Sequence, residues 1–147
     1  MHVWIPPKTD WKIAYDENGN YIGDYFEPDD YNRIKNNITF LRDYVQQLFD
    51  NRPDFKNLGE DVFYGSQNEL KASWWNMVQD NLENINKMSF AIDIGIREKY
   101  YSNSSGRLLE ELNRIEQACL DIYTKLYDTE RNKPRLMFRL GNYRGVK

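Results

Sequence analysis

The apolar positions Tyr31, Ile34, Ile38, Leu41, Val45 and Leu48 are spaced alternately by three and four, and so are Leu108, Leu112, Ile115, Cys119, Ile122 and Leu126. That spacing lines one face of an α-helix. Superposing Ile34 on Ile115 carries Tyr31 onto Leu112, Ile38 onto Cys119, Leu41 onto Ile122 and Val45 onto Leu126, so the stripe recurs in phase 81 positions later. A weaker third copy emerges when Asn76 is laid on Asn32, which brings Trp75, Val78, Leu82 and Ile85 onto Tyr31, Ile34, Ile38 and Leu41. Polar residues share the phase: Asn32-Arg33 matches Asn113-Arg114, and Asn37 coincides with Asn81. Apolar stripes can be slid into agreement between any two helices, whereas shared polar positions argue for a repeated unit.

The first helix is expected over about 28–50. It opens at Glu27-Pro28-Asp29-Asp30, where proline fits the first helical position and acids meet the positive end of the helix dipole. It stops before Arg52-Pro53. The second is expected over about 67–88, and the third over about 105–128, after a serine cap in Ser102-Asn103-Ser104-Ser105-Gly106. Phe90 to Ile96 alternates apolar with small or polar residues, which fits a strand, an extension of helix or a packed connection. Residues 1–27 read as an extended aromatic arm with a short hairpin about Asn18-Gly19. Lys133-Pro134 is expected to stop the third helix, leaving 131–147 as an extended basic arm. The fold class is therefore all-α: an antiparallel bundle of three helices over 28–130, or of four if residues 88–104 add one, flanked by two extended arms.

With 147 residues, 40% of them hydrophobic, the chain suffices for one domain with a core of its own. No run approaches the length of a membrane span, and no secretory leader is visible at the N-terminus, so no membrane partner is expected. Charge is uneven: residues 131–147 carry Arg131, Lys133, Arg135, Arg139, Arg144 and Lys147 with no acid, although the whole chain is at −3. An acidic body with a basic tail is not the profile of a dedicated nucleic-acid binder, and it suits contacts between copies.

Little in the chain points to catalysis. His2 is the single histidine, and there is no phosphate-binding glycine loop, no paired-cysteine metal motif and no nucleophile elbow. The acidic pairs Asp29-Asp30 and Glu110-Glu111 fall at first helical turns, where dipole compensation explains them. Cys119 stands on an apolar heptad position, as a small core residue does. No cofactor and no metal ligand set is expected, and the chain is not read as an enzyme. The interaction candidates are Trp4, Trp11, Tyr25 and Phe26 in the aromatic arm, Arg33 and Arg114 beside the stripes, and Arg135, Phe138, Arg139 and Tyr143 in the basic tail. Arg33 and Arg114 also suit pairing with nearby acids along the helix interface, and Asn32 and Asn113 suit fixing register by hydrogen bonds to a neighbouring helix or loop.

The motifs Lys8-Thr9-Asp10-Trp11, Asp24-Tyr25-Phe26, Asp30-Tyr31-Asn32-Arg33-Ile34 and Asn113-Arg114-Ile115-Glu116 resemble those of small virion proteins of tailed phages and prophages of Gram-positive bacteria. Residues 12–23 look like an insertion relative to that pattern, and Gln117-Ala118 stands where a double Asn follows the first motif. The resemblance implies a structural part of a tail, baseplate or neck, located in the virion after synthesis in the host cytoplasm. Its implied partners are other virion proteins and further copies of itself in a homo-oligomer. The alternative expectation is a soluble helical adaptor or inhibitor that binds a host protein.

Overall fold

In the computed structural model, residues 3–50, 52–63, 72–97 and 108–144 are described, with side chains for all but Ala72, Leu108 and 133–144. Three helices follow in order, α1 (Pro28–Phe49), α2 (Ala72–Lys87) and α3 (Leu108–Arg144). α1 starts as its sequence dictates: Pro28 takes the first turn, and Glu27 and Asp30 form a reciprocal capping box in which the Asp30 carboxylate accepts from the Glu27 N–H at 2.9 Å. The expected start of the second helix at 67–71 and the serine cap at 102–106 lie outside the described residues.

The stripes form the core. Ile34, Ile38, Leu41 and Val45 of α1, Val78, Leu82 and Ile85 of α2, and Leu112, Ile115, Cys119, Ile122 and Leu126 of α3 are all buried. Each such aliphatic side chain contributes roughly 1.5–3 kcal/mol through removal of its surface from water.

The helices run parallel, which corrects the antiparallel bundle expected from the sequence. Near the helix starts, the Tyr31 and Trp74 rings stack at 4.1 Å, and near the ends Phe49 meets Phe90 at 5.4 Å. Between α1 and α3, Arg33 pairs with Glu116 and Phe40 with Tyr123, both 83 positions apart. Between α2 and α3, Gln79 meets Arg114 and, just past α2, Phe90 meets Lys125, both 35 positions apart. A constant offset is the mark of parallel chains. The physical reason lies in the connections: antiparallel neighbours are joined by short loops, whereas here 22 residues (50–71) and 20 residues (88–107) separate the helices. Twenty extended residues reach roughly 66 Å, twice the roughly 33 Å length of α1, so each connection can return to the starting end of the bundle.

The returning chain lies in the grooves. Asp54, Lys56, Leu58 and Val62 are bound in turn by Asn84, Asn81, Trp74 and Asn32, so this segment runs from the helix ends back to the helix starts between α1 and α2. Residues 90–97 make the same return beside α2 and α3, where Ile92 is held by Asn86, the Ile94 carbonyl by Arg114, and Arg97 by Asp80 and Glu83. This decides between the three readings of Phe90 to Ile96: it is a packed connection. The N-terminal segment makes a third such track between α1 and α3, with Val3, Ile5, Lys8 and Trp11 held by Asn36, Asn37, Glu116 and Asn113. The architecture is thus three units of extended segment and helix, arranged cyclically.

Residues 3–11 are extended, as expected, and are packed against their own bundle. The third helix, expected to stop near Asp128, continues through Pro134 to Arg144. Proline removes one bond of the helix ladder, but Leu136, Met137, Arg139 and Leu140 beyond it are good helix formers. Among the described residues, no helix is long and apolar enough to cross a membrane.

Candidate functional site

The repeated asparagines are the fixings of the fold. Asn37 accepts from the Ile5 N–H at 3.0 Å and donates to the Ile5 carbonyl at 2.7 Å. Asn113 treats Trp11 alike at 2.7 and 2.8 Å, Asn32 treats Val62 at 2.9 and 2.9 Å, and Asn81 treats Lys56 at 2.7 and 2.9 Å. An extended residue turns its N–H and C=O to the same side, and a carboxamide carries one acceptor and one donor side by side. The match is a single-residue strand pairing made by a side chain. Asn86 makes a fifth with Ile92, at 3.0 and 2.8 Å.

These pairs follow the repeat. The first segment is held by Asn37 on α1 and, at Trp11, by Asn113 on α3; the second is held by Asn81 on α2 and, at Val62, by Asn32 on α1. Each segment is therefore pinned by the helix that follows it and by a neighbouring helix. In α3 the position of Asn37 and Asn81 is taken by Ala118, buried in the core. The third segment uses Asn86 and Arg114 instead.

The two repeated arginines turn inward. Glu116 is 1% exposed and receives Arg33 Nε at 2.7 Å and the backbone N–H of Lys8 at 3.2 Å on one oxygen, with Arg33 Nη2 at 3.0 Å and Trp11 Nε1 at 2.5 Å on the other. Asp30 holds the remaining side of Arg33 at 2.8 Å. Burial works against the charge of Arg33, but the Glu116 and Asp30 carboxylates outweigh it, and its pKa lies above the ordinary value. Arg114 repeats the pattern: Glu111, three residues earlier as Asp30 is to Arg33, accepts from it at 2.8 Å, and Gln79 on the next helix at 2.5 Å. Gln79 and Glu116 occupy the same position of the repeat.

The interaction candidates therefore divide. Trp11 is buried under Glu116, Phe26 sits between Trp11 and Trp75, and Trp4 stacks on Tyr123 at 4.1 Å, so these rings cover their own bundle together with Arg33 and Arg114. Tyr25 stays 66% exposed. The side chains of Arg135, Phe138, Arg139 and Tyr143 lie outside the described ones.

What faces outward is a hairpin that the sequence marked by its turn but not by its surface. Tyr15 pairs with Tyr21 across a turn at Gly19, whose φ of +83° favours glycine, and the Asp16 carboxylate accepts the N–H groups of Asn18 and Asn20. Below the turn, Ile22 N–H donates to Ala14 at 2.8 Å and Asp24 N–H to Lys12 at 3.0 Å. Gly23 permits this close approach: a Cβ there would lie 2.6 Å from the Lys12 carbonyl. The rings of Tyr15, Tyr21 and Tyr25 meet edge to face at 5.4 and 5.0 Å, and Ile13, Tyr15, Ile22 and Tyr25 are each about 60% exposed or more.

A second outward feature lies beyond Trp4, where the groove between α1 and α3 opens into a cleft of about 440 Å³ lined by Asp43, Tyr44, Gln47, Tyr123, Tyr127 and Glu130. The Tyr44 hydroxyl donates to the Glu130 carboxylate, and burial together with that carboxylate pushes its pKa up. Among the described residues, no group of three His, Cys, Asp or Glu is placed to hold a metal ion. No family model, curated protein or solved structure matches the chain.

Proposed function

We propose that this chain is a non-enzymatic structural component of a phage virion, in the tail, baseplate or neck, and that it assembles through its hairpin. The observation that carries this reading is the exposed face of Ile13, Tyr15 and Tyr25 on a hairpin that is internally hydrogen-bonded and rooted beside the pinned Trp11. An apolar, aromatic surface held in one conformation suits a permanent protein contact, because little ordering entropy remains to be lost on docking. The Asp-Tyr-Asn-Arg-Ile and Asn-Arg-Ile-Glu motifs add support. In this chain their Asn, Arg and Glu are the groups that fix extended segments to helices, a role that a structural family would retain.

Mass spectrometry of purified particles tests the reading. The chain should be present at a fixed copy number, and Ile13→Ser with Tyr15→Ser should lower its incorporation at least tenfold while leaving helicity intact. Absence from particles, with a host protein retained on the immobilised chain through the same hairpin residues, would favour the adaptor or inhibitor reading.

A further inference from the structure

α3 outlasts the bundle it belongs to. Tyr44, close to the end of α1 at Phe49, lies opposite Glu130, and α3 continues to Arg144. Residues 133–144 therefore extend as a single helix for roughly 18 Å, at about 1.5 Å per residue. This overhang belongs to the most basic part of the chain. Residues 131–147 hold six basic residues and no acid, leaving 14 basic and 23 acidic residues, a net −9, for 1–130.

At the root of the overhang lies the tyrosine cleft, whose charged rim is Asp43 and Glu130. Tyr123 and Tyr127 stack at 6.2 Å, and the Arg131 guanidinium already stands 6.0 Å from the Tyr127 ring. Tyrosine faces backed by carboxylates attract guanidinium and ammonium groups. In the other two grooves, returning chain lies over the helices; here Trp4 is the last described ring of the N-terminal segment to enter, and the cleft continues beyond it.

We propose that overhang and cleft are two halves of one self-complementary contact between copies of this chain. In an antiparallel pair, the basic overhang of each copy lies against the acidic, tyrosine-lined cleft of the other. A two-fold contact of this kind uses the same patch on both partners and closes on itself. Opposite charge sets its orientation and makes it sensitive to salt. The inference rests on the reading of the chain as an assembling structural protein, and names its first partner.

Sedimentation of the full chain at rising concentration tests it. The wild type is expected to be a dimer at low salt that dissociates as salt is raised. Asp43→Lys with Glu130→Lys should weaken the dimer at least tenfold, and so should Arg135→Glu with Arg139→Glu. Mixed together, these two variants should pair with each other, since each supplies the charge the other now needs. Should the lysine variant lose its helical circular dichroism, Asp43→Asn with Glu130→Gln takes its place and should still weaken the dimer. A wild type that stays monomeric at every concentration overturns the proposal, as does a dimer that ignores both reversals, or a tail that retains DNA while no dimer forms. A monomer in solution that is still found in particles would sink this pairing and leave the virion reading standing.

Discussion

Asn113 on α3 holds the backbone of Trp11 at two points, 102 positions away, accepting from its N–H at 2.7 Å and donating to its carbonyl at 2.8 Å. Asn37 does the same for Ile5 on α1, so the N-terminal segment is clamped between two helices. Replacing Asn113 by Ala leaves two partly buried backbone groups without partners, at about 1–3 kcal/mol for such a loss. Aspartate keeps the acceptor but sets an anion against the Trp11 carbonyl, so Asn113→Asp should cost at least as much as Asn113→Ala. With Asn37→Ala added, residues 3–11 should become cleavable by protease while the helices persist. Urea unfolding and limited proteolysis measure both effects; a change in stability below about 0.5 kcal/mol for Asn113→Ala would sink the idea.

The pair of Arg33 and Glu116 makes a different demand. Glu116 is buried, and among the described residues the hydrogen bonds it accepts come from Arg33 and from the first segment. Arg33→Ala strands that carboxylate in the core, which costs on the order of 3–5 kcal/mol when a buried pair is broken from one side. Arg33→Met combined with Glu116→Leu removes both charges and should recover most of the loss, leaving chiefly the unpaired Trp11 Nε1 and Lys8 N–H. A double-mutant cycle gives the answer: additive single effects would show that the two residues are not coupled.

Much of this was legible before the structure, and the remainder has identifiable reasons. The stripes located the core, and the equivalence of Asn37 with Asn81 and of Asn32 with Asn113 marked the pins. Helix direction was not legible in the stripes, because amphipathic periodicity is the same for a helix running either way; the length of the connections carries that information. The partners of the asparagines were hidden too, since a side chain that pairs with backbone requires no particular residue type: it holds Ile5, Trp11, Lys56 and Val62 alike. Trp4 and Trp11 suit a binding surface and a cover for the bundle alike by their type, since both need large apolar rings, and in the structure they cover the bundle. The hairpin turn was visible at Asn18-Gly19, but which of its residues face outward depends on how Trp11 is pinned.

Cys119 is buried on the core side of α3, and burial, with the neighbouring Glu116 charge, pushes its thiol pKa well up. A thiol held protonated and out of solvent is a poor nucleophile. Thiol-reactive dyes should label the native protein at a small fraction of the rate seen in urea, and the label should track global unfolding. Rapid labelling under native conditions would mean that α3 opens locally or that the position is not core. Cys119→Ala should cost about 1 kcal/mol, the effect of a small cavity, with no change in helicity.

Asp80 joins two of the returning segments, accepting Lys56 Nζ at 2.6 Å from the second and the Arg97 guanidinium from the third. Partial burial opposes its charge, but the hydrogen bonds from Arg97 and Lys56 outweigh burial and hold its carboxyl below the ordinary 3.8. A depressed carboxylate binds its proton more readily in the unfolded chain, so its stabilising effect is complete above the unfolded value and is lost as pH falls through the folded one. Asp80→Asn should therefore be less stable than the wild type at neutral pH, with the difference unchanged down to about pH 5 and closing as pH falls from there toward about 2. Urea midpoints of the two proteins across that range decide it. A difference that stays constant to the acid end would show that Asp80 acts through packing or neutral hydrogen bonding, and one that widens would reverse the sign of the argument. Raising salt at neutral pH should shrink the difference as well, because Lys56 is more than half exposed and its attraction to Asp80 is screened.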